Sequence, residues 1–278
     1  VATKWMSTVG TNTNSGTTYA LAKKTLWGAS GILAGASKGD LIYVVNDGTH
    51  AMTSLPSTAL TFAGTNWTSD IGLTIKGVTS TGTPAMVNVA ATSGKMKWVE
   101  IRGKYVEVCG FKFKYDALLT ASITNMRPVQ YQGAAGATKL HDCEVWFTTN
   151  VGSGVALSDT TAPSFPFFTS ATGGTPTVDM EVYQNVLINA ALRTDNTANR
   201  NMVYHNNVVL YDAGASNGGV SASYPPFVWG SGTSSYARKF YNNTVIQRRY
   251  GTGAKSYGVQ AIESPGDDTN DLSVYSNL

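Results

Sequence analysis

The carboxylates are the first residues that could do chemistry. Gly266 opens the run Asp267-Asp268-Thr269-Asn270-Asp271, which offers oxygen ligands of the kind Ca²⁺ takes, although a run of this sort is more often a solvated turn. Asp179 and Glu181 are two residues apart and would share one face of a strand. Asp142 with Arg193, and Lys112 with Lys114, are further candidates for proton transfer. His50, His141 and His205 are far apart and match no metal-ligand spacing. Two cysteines, Cys109 and Cys143, make neither a disulfide framework nor a zinc site on their own. None of these sets forms a recognisable catalytic motif. No cofactor is expected, the Ca²⁺ alternative at Asp267, Asp268 and Asp271 apart.

Rings are the second chemical resource. The segment 161–176 carries Phe165, Phe167 and Phe168, and the segment 221–236 carries Tyr224, Phe227 and Trp229. Aromatic side chains stack on sugar faces or anchor protein contacts, so both segments are candidate glycan- or partner-binding loops. The alternative is that they fold back on the body of the chain.

What must position these residues is a repeat. The template apolar–x–x–Asn–x–apolar recurs at Val182-Tyr-Gln-Asn185-Val-Leu187, Val203-Tyr-His-Asn206-Asn-Val208, Phe240-Tyr-Asn-Asn243-Thr-Val245 and Val274-Tyr-Ser-Asn277-Leu278. It recurs with Cys109 and Cys143 in the Asn place, and once more with Lys76 there. The intervals between key positions run from 21 to 42 residues. Helix-pair repeats hold their length, whereas a coil of parallel strands tolerates loops between its rungs. Asn fits a sharp corner between strands because it accepts left-handed backbone angles, and stacked Asn side chains can bond from coil to coil. Cys109 and Cys143 are then expected as neighbours in that stack, as free buried thiols although close enough to bridge. A β-sandwich whose strands share residues by chance is the alternative.

Strand alternation on this register places Glu107, His141, Tyr183, Tyr204, Tyr241 and Tyr275 in one outward column. A second outward column holds Lys112, Trp146, Ile188, Val209 and Ile246, four of them apolar. A column of outward apolar residues predicts a contact surface, covered by another copy or by loops of the same chain.

Residues 5–50 resemble the opening of right-handed parallel β-helix proteins of the pectate-lyase-like group. The matching pieces are the loop Gly10 to Gly16, the stretch Tyr19–Leu26, Gly39-Asp40, the strand Leu41–Val45 and the turn Gly48-Thr49; Gly72–Val78 resembles a second-coil segment. The resemblance implies an all-β fold, a single-stranded right-handed parallel β-helix or solenoid with a short N-terminal capping helix. Tyr19, Ala22, Leu26 and Ala29 stand at helical spacing for that cap. Residues 1–40 are read as the loop and cap, and 41–278 as the β-helix, which is expected to continue beyond Leu278 because the chain stops within a repeat.

The group includes lyases and hydrolases of acidic polysaccharides, but the Asn-Thr-Asp, Asp-Asp, His-Gly and Arg-x-Lys series of the polygalacturonase-like hydrolases is not found here. Outer apolar columns are similar to those by which β-helices pack side by side in trimeric bacteriophage tail spikes. The expectation is therefore a non-catalytic structural or host-recognition module of a virion appendage or extracellular surface, able to bind glycans. It would be oligomeric, with a trimer favoured, or packed on neighbouring appendage proteins. A polysaccharide lyase or glycoside hydrolase is the alternative.

Bulk composition agrees with a β-rich chain. Of 278 residues 42% are hydrophobic and only 13% charged, with 29 Gly. The net charge of +3 is small and its basic residues are scattered, which argues against nucleic acid. No apolar run reaches the roughly 18 residues of a membrane span. The chain opens on Val1, so its location is not read from its start.

Overall fold

The computed structural model describes residues 1–28, 30–52, 72–91, 98–101, 105–114, 128–131, 138–146, 167–168, 180–188, 190, 192–194, 202–213, 227–229, 238–249 and 272–275. These are all-β apart from one 3₁₀ turn, Ile32–Gly35.

Nine strands form one sheet in chain order: Thr3–Met6, Leu41–Val45, Leu73–Val78, Val106–Cys109, Lys139–His141, Met180–Tyr183, Met202–His205, Arg238–Tyr241 and Leu272–Tyr275. Seven form a second: His50–Met52, Val87–Ala91, Phe111–Lys114, Glu144–Trp146, Val186–Ile188, Val208–Ala213 and Thr244–Arg249. Val99–Ile101, Val129–Tyr131 and Phe167–Phe168 make a third sheet, and Leu192–Thr194 pairs with Phe227–Trp229. Neighbouring strands in all four run parallel. From Leu41 on the chain alternates between the two large sheets, and between Val99 and Trp229 each pass also adds one strand to one of the small sheets, an order consistent with a solenoid-like fold.

The core lies along the inward faces. Ile42, Ile75, Val108, Leu140, Val182, Tyr204 and Phe240 succeed one another rung by rung. Each is 4% exposed or less. Val89, Phe113, Val145, Leu187 and Val209 form the facing file and are fully buried. Burying each such side chain contributes about 1.5–3 kcal/mol. Trp98 closes one side, its ring 4.5 Å from Phe111 and 5.6 Å from Phe113.

The corner between the two large sheets divides one job between two residues. Asp142, Gln184, Asn206 and Asn242 take the left-handed conformation, with φ of 50°, 54°, 55° and 52°. The next residue carries the side-chain ladder: Asn185 Nδ2 donates to Asn207 Oδ1 at 3.0 Å, and Asn207 Nδ2 to Asn243 Oδ1 at 2.9 Å. The ladder member after the strand Met202–His205 is therefore Asn207, one place after the expected Asn206. Cys143 occupies the place before Asn185, its N–H donating to Asn185 Oδ1 at 3.0 Å. Cys109 is not in that file, because it pairs with His141. Both thiols are free and buried.

The one-residue shift reverses faces in that coil. Tyr204 points inward and is fully buried, with its ring stacked on Phe240 at 4.7 Å. Val209 also points inward, and Leu210 takes its expected place beside Ile188 and Ile246. Lys112 stands across from Glu144, so Lys114 is the partner of Trp146. Glu107 stands across from Lys139, one file away from His141.

The N-terminal stretch closes the sheet edge without the expected helix. Lys23 forms a parallel bridge to Met6. Its N–H donates to Trp5 O at 2.9 Å, and Lys23 O accepts from Ser7 N at 2.9 Å. The reason is visible at Asn12, whose Oδ1 accepts from Lys24 N at 3.1 Å and from Thr25 N and Oγ1 at 3.0 Å. The two backbone N–H groups among these donors are ones that a helix would need for itself. Ala22, Leu26, Ile32 and Leu33 are buried and still cover the end of the core, and Ala29 lies outside the described residues.

Candidate functional site

Outward on the nine-stranded sheet, strand register builds one file from Lys76, Cys109, His141, Tyr183, His205 and Tyr241. Parallel strands lie about 4.8 Å apart, which suits stacked rings. His141 and Tyr183 stack at 4.6 Å, Tyr183 and His205 at 5.0 Å, and His205 and Tyr241 at 4.9 Å. Their planes are within 8° of parallel. The faces of Tyr183 and His205 are therefore covered by their neighbours. What they present outward is their edges, which hydrogen-bond and do not stack on a sugar.

One end of the file is charged. With both ring nitrogens protonated, His141 donates from Nε2 to Glu107 Oε1 at 2.9 Å and from Nδ1 to Asp142 Oδ2 at 2.8 Å. Thr74 Oγ1 donates to Glu107 Oε2 at 3.2 Å. Burial disfavours the imidazolium, but the two carboxylates outweigh it and hold His141 above its ordinary pKa. Glu107 is held below the usual carboxylate range by the His141 hydrogen bond, against burial. Burial, with the charge of Glu107 added, pushes the Cys109 thiol up to about 12. Tyr183 is likewise pushed up to about 12 by burial and by Glu107 and Glu181. His205 is lowered by burial in spite of Glu181. Alongside runs a second file, Glu107, Lys139 and Glu181, in which Lys139 Nζ lies 3.7 Å from Glu181 Oε2. Both side chains of that pair are well exposed, so its contribution is small.

The seven-stranded sheet presents a different outer surface. Trp146, Ile188, Leu210 and Ile246 form one file; Glu144, Val186, Val208 and Thr244 form the next. Val186 is 37% exposed, Val208 36% and Ile246 45%. At one end Lys112 Nζ sits 3.5 Å from the centroid of the Trp146 ring and 2.9 Å from Glu144 Oε2, which also accepts from Trp146 Nε1 at 2.8 Å. Polar groups thus finish an otherwise apolar strip.

The sequence-derived candidates fall into three groups. Tyr183, Tyr241 and Trp146 are on outer faces, and Tyr204 is inside. Phe168, Phe227, Trp229 and Tyr275 belong to the strands Phe167–Phe168, Phe227–Trp229 and Leu272–Tyr275. Phe165, Tyr224, Asp267, Asp268 and Asp271, with Asp179, lie outside the described residues. Arg193 lies in the strand Leu192–Thr194. The convergence of Glu107, Cys109, His141 and Asp142 was not foreseen. Its signals are Glu107 and Cys109 two apart on one strand, and His141 followed by an acid at the corner. Among the described residues no helix is long and apolar enough to cross a membrane.

No protein-family model matches the chain, and no curated protein matches it. A solved structure of a rhamnogalacturonan lyase is similar over 90% of this chain and 69% of its own length, at 13% identity and a TM-score of 0.48. That likeness is too distant to bear on what this chain does.

Proposed function

We propose that this chain is a right-handed parallel β-helix, with residues 1–40 as its cap and 41–278 as its body. It serves as a non-catalytic structural or recognition module of a virion or cell-surface appendage, packed against copies of itself. One observation carries the reading: the outward strip of Trp146, Ile188, Leu210 and Ile246 beside Val186 and Val208. Its side chains repeat once per rung along a straight file. A second copy laid parallel meets it with the same spacing, so the occupant is another copy of this chain. The ring edges of the opposite sheet stay open for hydroxyl-rich ligands.

Sedimentation velocity of the full chain tests this. A trimer or other closed oligomer is expected, and Val208→Lys with Ile246→Lys should release monomers of unchanged circular dichroism. A wild-type monomer at every concentration rejects the reading.

A second reading, a polysaccharide lyase or hydrolase, is favoured by the carboxylate-flanked imidazole of His141 beside Lys139 and Glu181. Incubation with a panel of uronic-acid polymers, followed for unsaturated or reducing ends, tests it. Product formed by the wild type and lost in His141→Ala would replace the first reading.

A further inference from the structure

We propose that Glu107, Cys109 and His141 form a site for one divalent cation of borderline softness, zinc above all, with Asp142 as its positioning residue. One carboxylate oxygen, one sulfur and one imidazole nitrogen lie within 4.8 Å of one another. The backbone sets this up. Glu107 and Cys109 are alternate residues of the strand Val106–Cys109 and share its outer face, and His141 is the partner of Cys109 on the next rung.

The donor set selects the metal. A mixed oxygen, sulfur and nitrogen set suits zinc, whereas calcium and magnesium take oxygen alone. Zinc bonds of about 2.0–2.3 Å place tetrahedral ligand atoms roughly 3.3–3.8 Å apart. Glu107 Oε1 and His141 Nε2 stand at 2.9 Å, so that pair opens slightly while the sulfur draws in. Both changes are side-chain rotations on fixed strands.

The surroundings are those that metal-bound imidazole and carboxylate take. Asp142 Oδ2 holds His141 Nδ1 at 2.8 Å, which fixes the ring and leaves Nε2 for the ion. Thr74 Oγ1 holds Glu107 Oε2 at 3.2 Å, which leaves Oε1 for the ion. The stacked ring of Tyr183 covers the far face of His141. The cation takes the place of the Nε2 proton that His141 now gives to Glu107. On ligation that proton and the Cys109 thiol proton pass to solvent, and Glu107 is already a carboxylate. Lys76 and Lys139 stand in the neighbouring file positions, so the site carries both charge signs around the ion. Three protein ligands leave the fourth position to water, on the side where the Glu107 side chain is 38% exposed.

The test uses the full untagged chain, stripped with a chelator and titrated with Co²⁺. One equivalent should bind with a thiolate-to-cobalt charge-transfer band in the near ultraviolet. Zn²⁺ should displace the band and raise the melting temperature. Cys109→Ala should abolish the band and Cys143→Ala should keep it. Asp142→Asn, which tolerates the left-handed corner, should weaken binding about 10–100-fold with unchanged circular dichroism. X-ray absorption at the zinc edge of the loaded wild type reads the ligands without any variant and should show one sulfur. A sulfur-free shell, or a cobalt band that survives Cys109→Ala, overturns the assignment.

Discussion

Asn207 Oδ1 accepts from both the backbone N–H and the side-chain Nδ2 of Asn185, at 3.2 and 3.0 Å. Asn207 Nδ2 in turn donates to Val182 O and Asn243 Oδ1, both at 2.9 Å. The side chain is fully buried, so all of these groups depend on one another. Asn207→Ala should cost about 3 kcal/mol or more, since each buried group left unpaired costs about 1–3 kcal/mol. Its neighbour Asn206 is exposed and contributes its backbone angle, so Asn206→Ala should cost only about 1 kcal/mol. Urea denaturation of the two variants checks the contrast, and equal midpoints would refute the division of labour.

The same pair explains what the sequence could and could not reveal. Recurrent Asn and apolar positions made the stacked parallel rungs and a solenoid-like order legible. The phase of the segment 203–210 was not, because Val203-Tyr204-His205-Asn206-Asn207-Val208-Val209-Leu210 offers an Asn and apolar residues in both phases. Sliding it by one residue exchanges every inner and outer side chain. The cue that resolves it is the Asn-Val step shared by Asn185-Val186 and Asn207-Val208. The apolar outer strip survived the slip because Leu210 is as apolar as Val209. The cap was misread for a different reason: helical spacing at Tyr19, Ala22 and Leu26 is local, whereas the acceptor at Asn12 that disrupts a helix there is a tertiary contact. The site at Glu107 and His141 depends on cross-rung neighbours, which a template centred on Asn does not rank.

Register can be tested by charge. Tyr204 is enclosed and stacked on Phe240, whereas His205 stands on the outer file between Tyr183 and Tyr241. Tyr204→Lys places an unpaired cation in the core and should cost at least ~3 kcal/mol, enough to lose soluble protein. His205→Lys loses ring contacts and one exposed hydrogen bond, from Asn206 Nδ2 to His205 Nδ1 at 3.1 Å, and should melt within a few degrees of the wild type. Soluble yield and thermal circular dichroism read both, and the reverse ranking would return the coil to its sequence-derived phase.

Close backbone approach between coils makes a third prediction. A Cβ on Gly77 would lie 2.2 Å from Gly110 O and 2.4 Å from Ala85 O. Both are backbone atoms, and Ala85 N is bonded to Gly77 O at 3.0 Å, so neither yields without moving a rung. Gly77→Ala should therefore cost about 2–3 kcal/mol, in the range of other overpacking substitutions. Unfolding midpoints measure it, and a midpoint equal to the wild type would mean that this corner is looser than drawn.

Acid should loosen the N-terminal end in two steps. His50 is buried and its Nε2 lies 2.9 Å from Val45 O. Burial lowers its pKa in the fold, against the pull of Val45 O and Asp47. Asp47 is pushed up by burial, but hydrogen bonds from Ser7 and Thr8 outweigh that and lower it. For both groups the unfolded chain binds protons more readily, so stability falls as pH falls. The His50 contribution is whole above its unfolded value of about 6.5, and the Asp47 contribution is whole above about 3.9. Each is lost as pH drops from there through the lowered folded value. His50→Gln should flatten the upper step relative to wild type while keeping the lower one. Unfolding midpoints across acid and neutral pH give the difference curve, and an NMR titration of His50 gives its folded value directly. An upper step of the same size in both proteins would show that His50 is not the group that buries its neutral form.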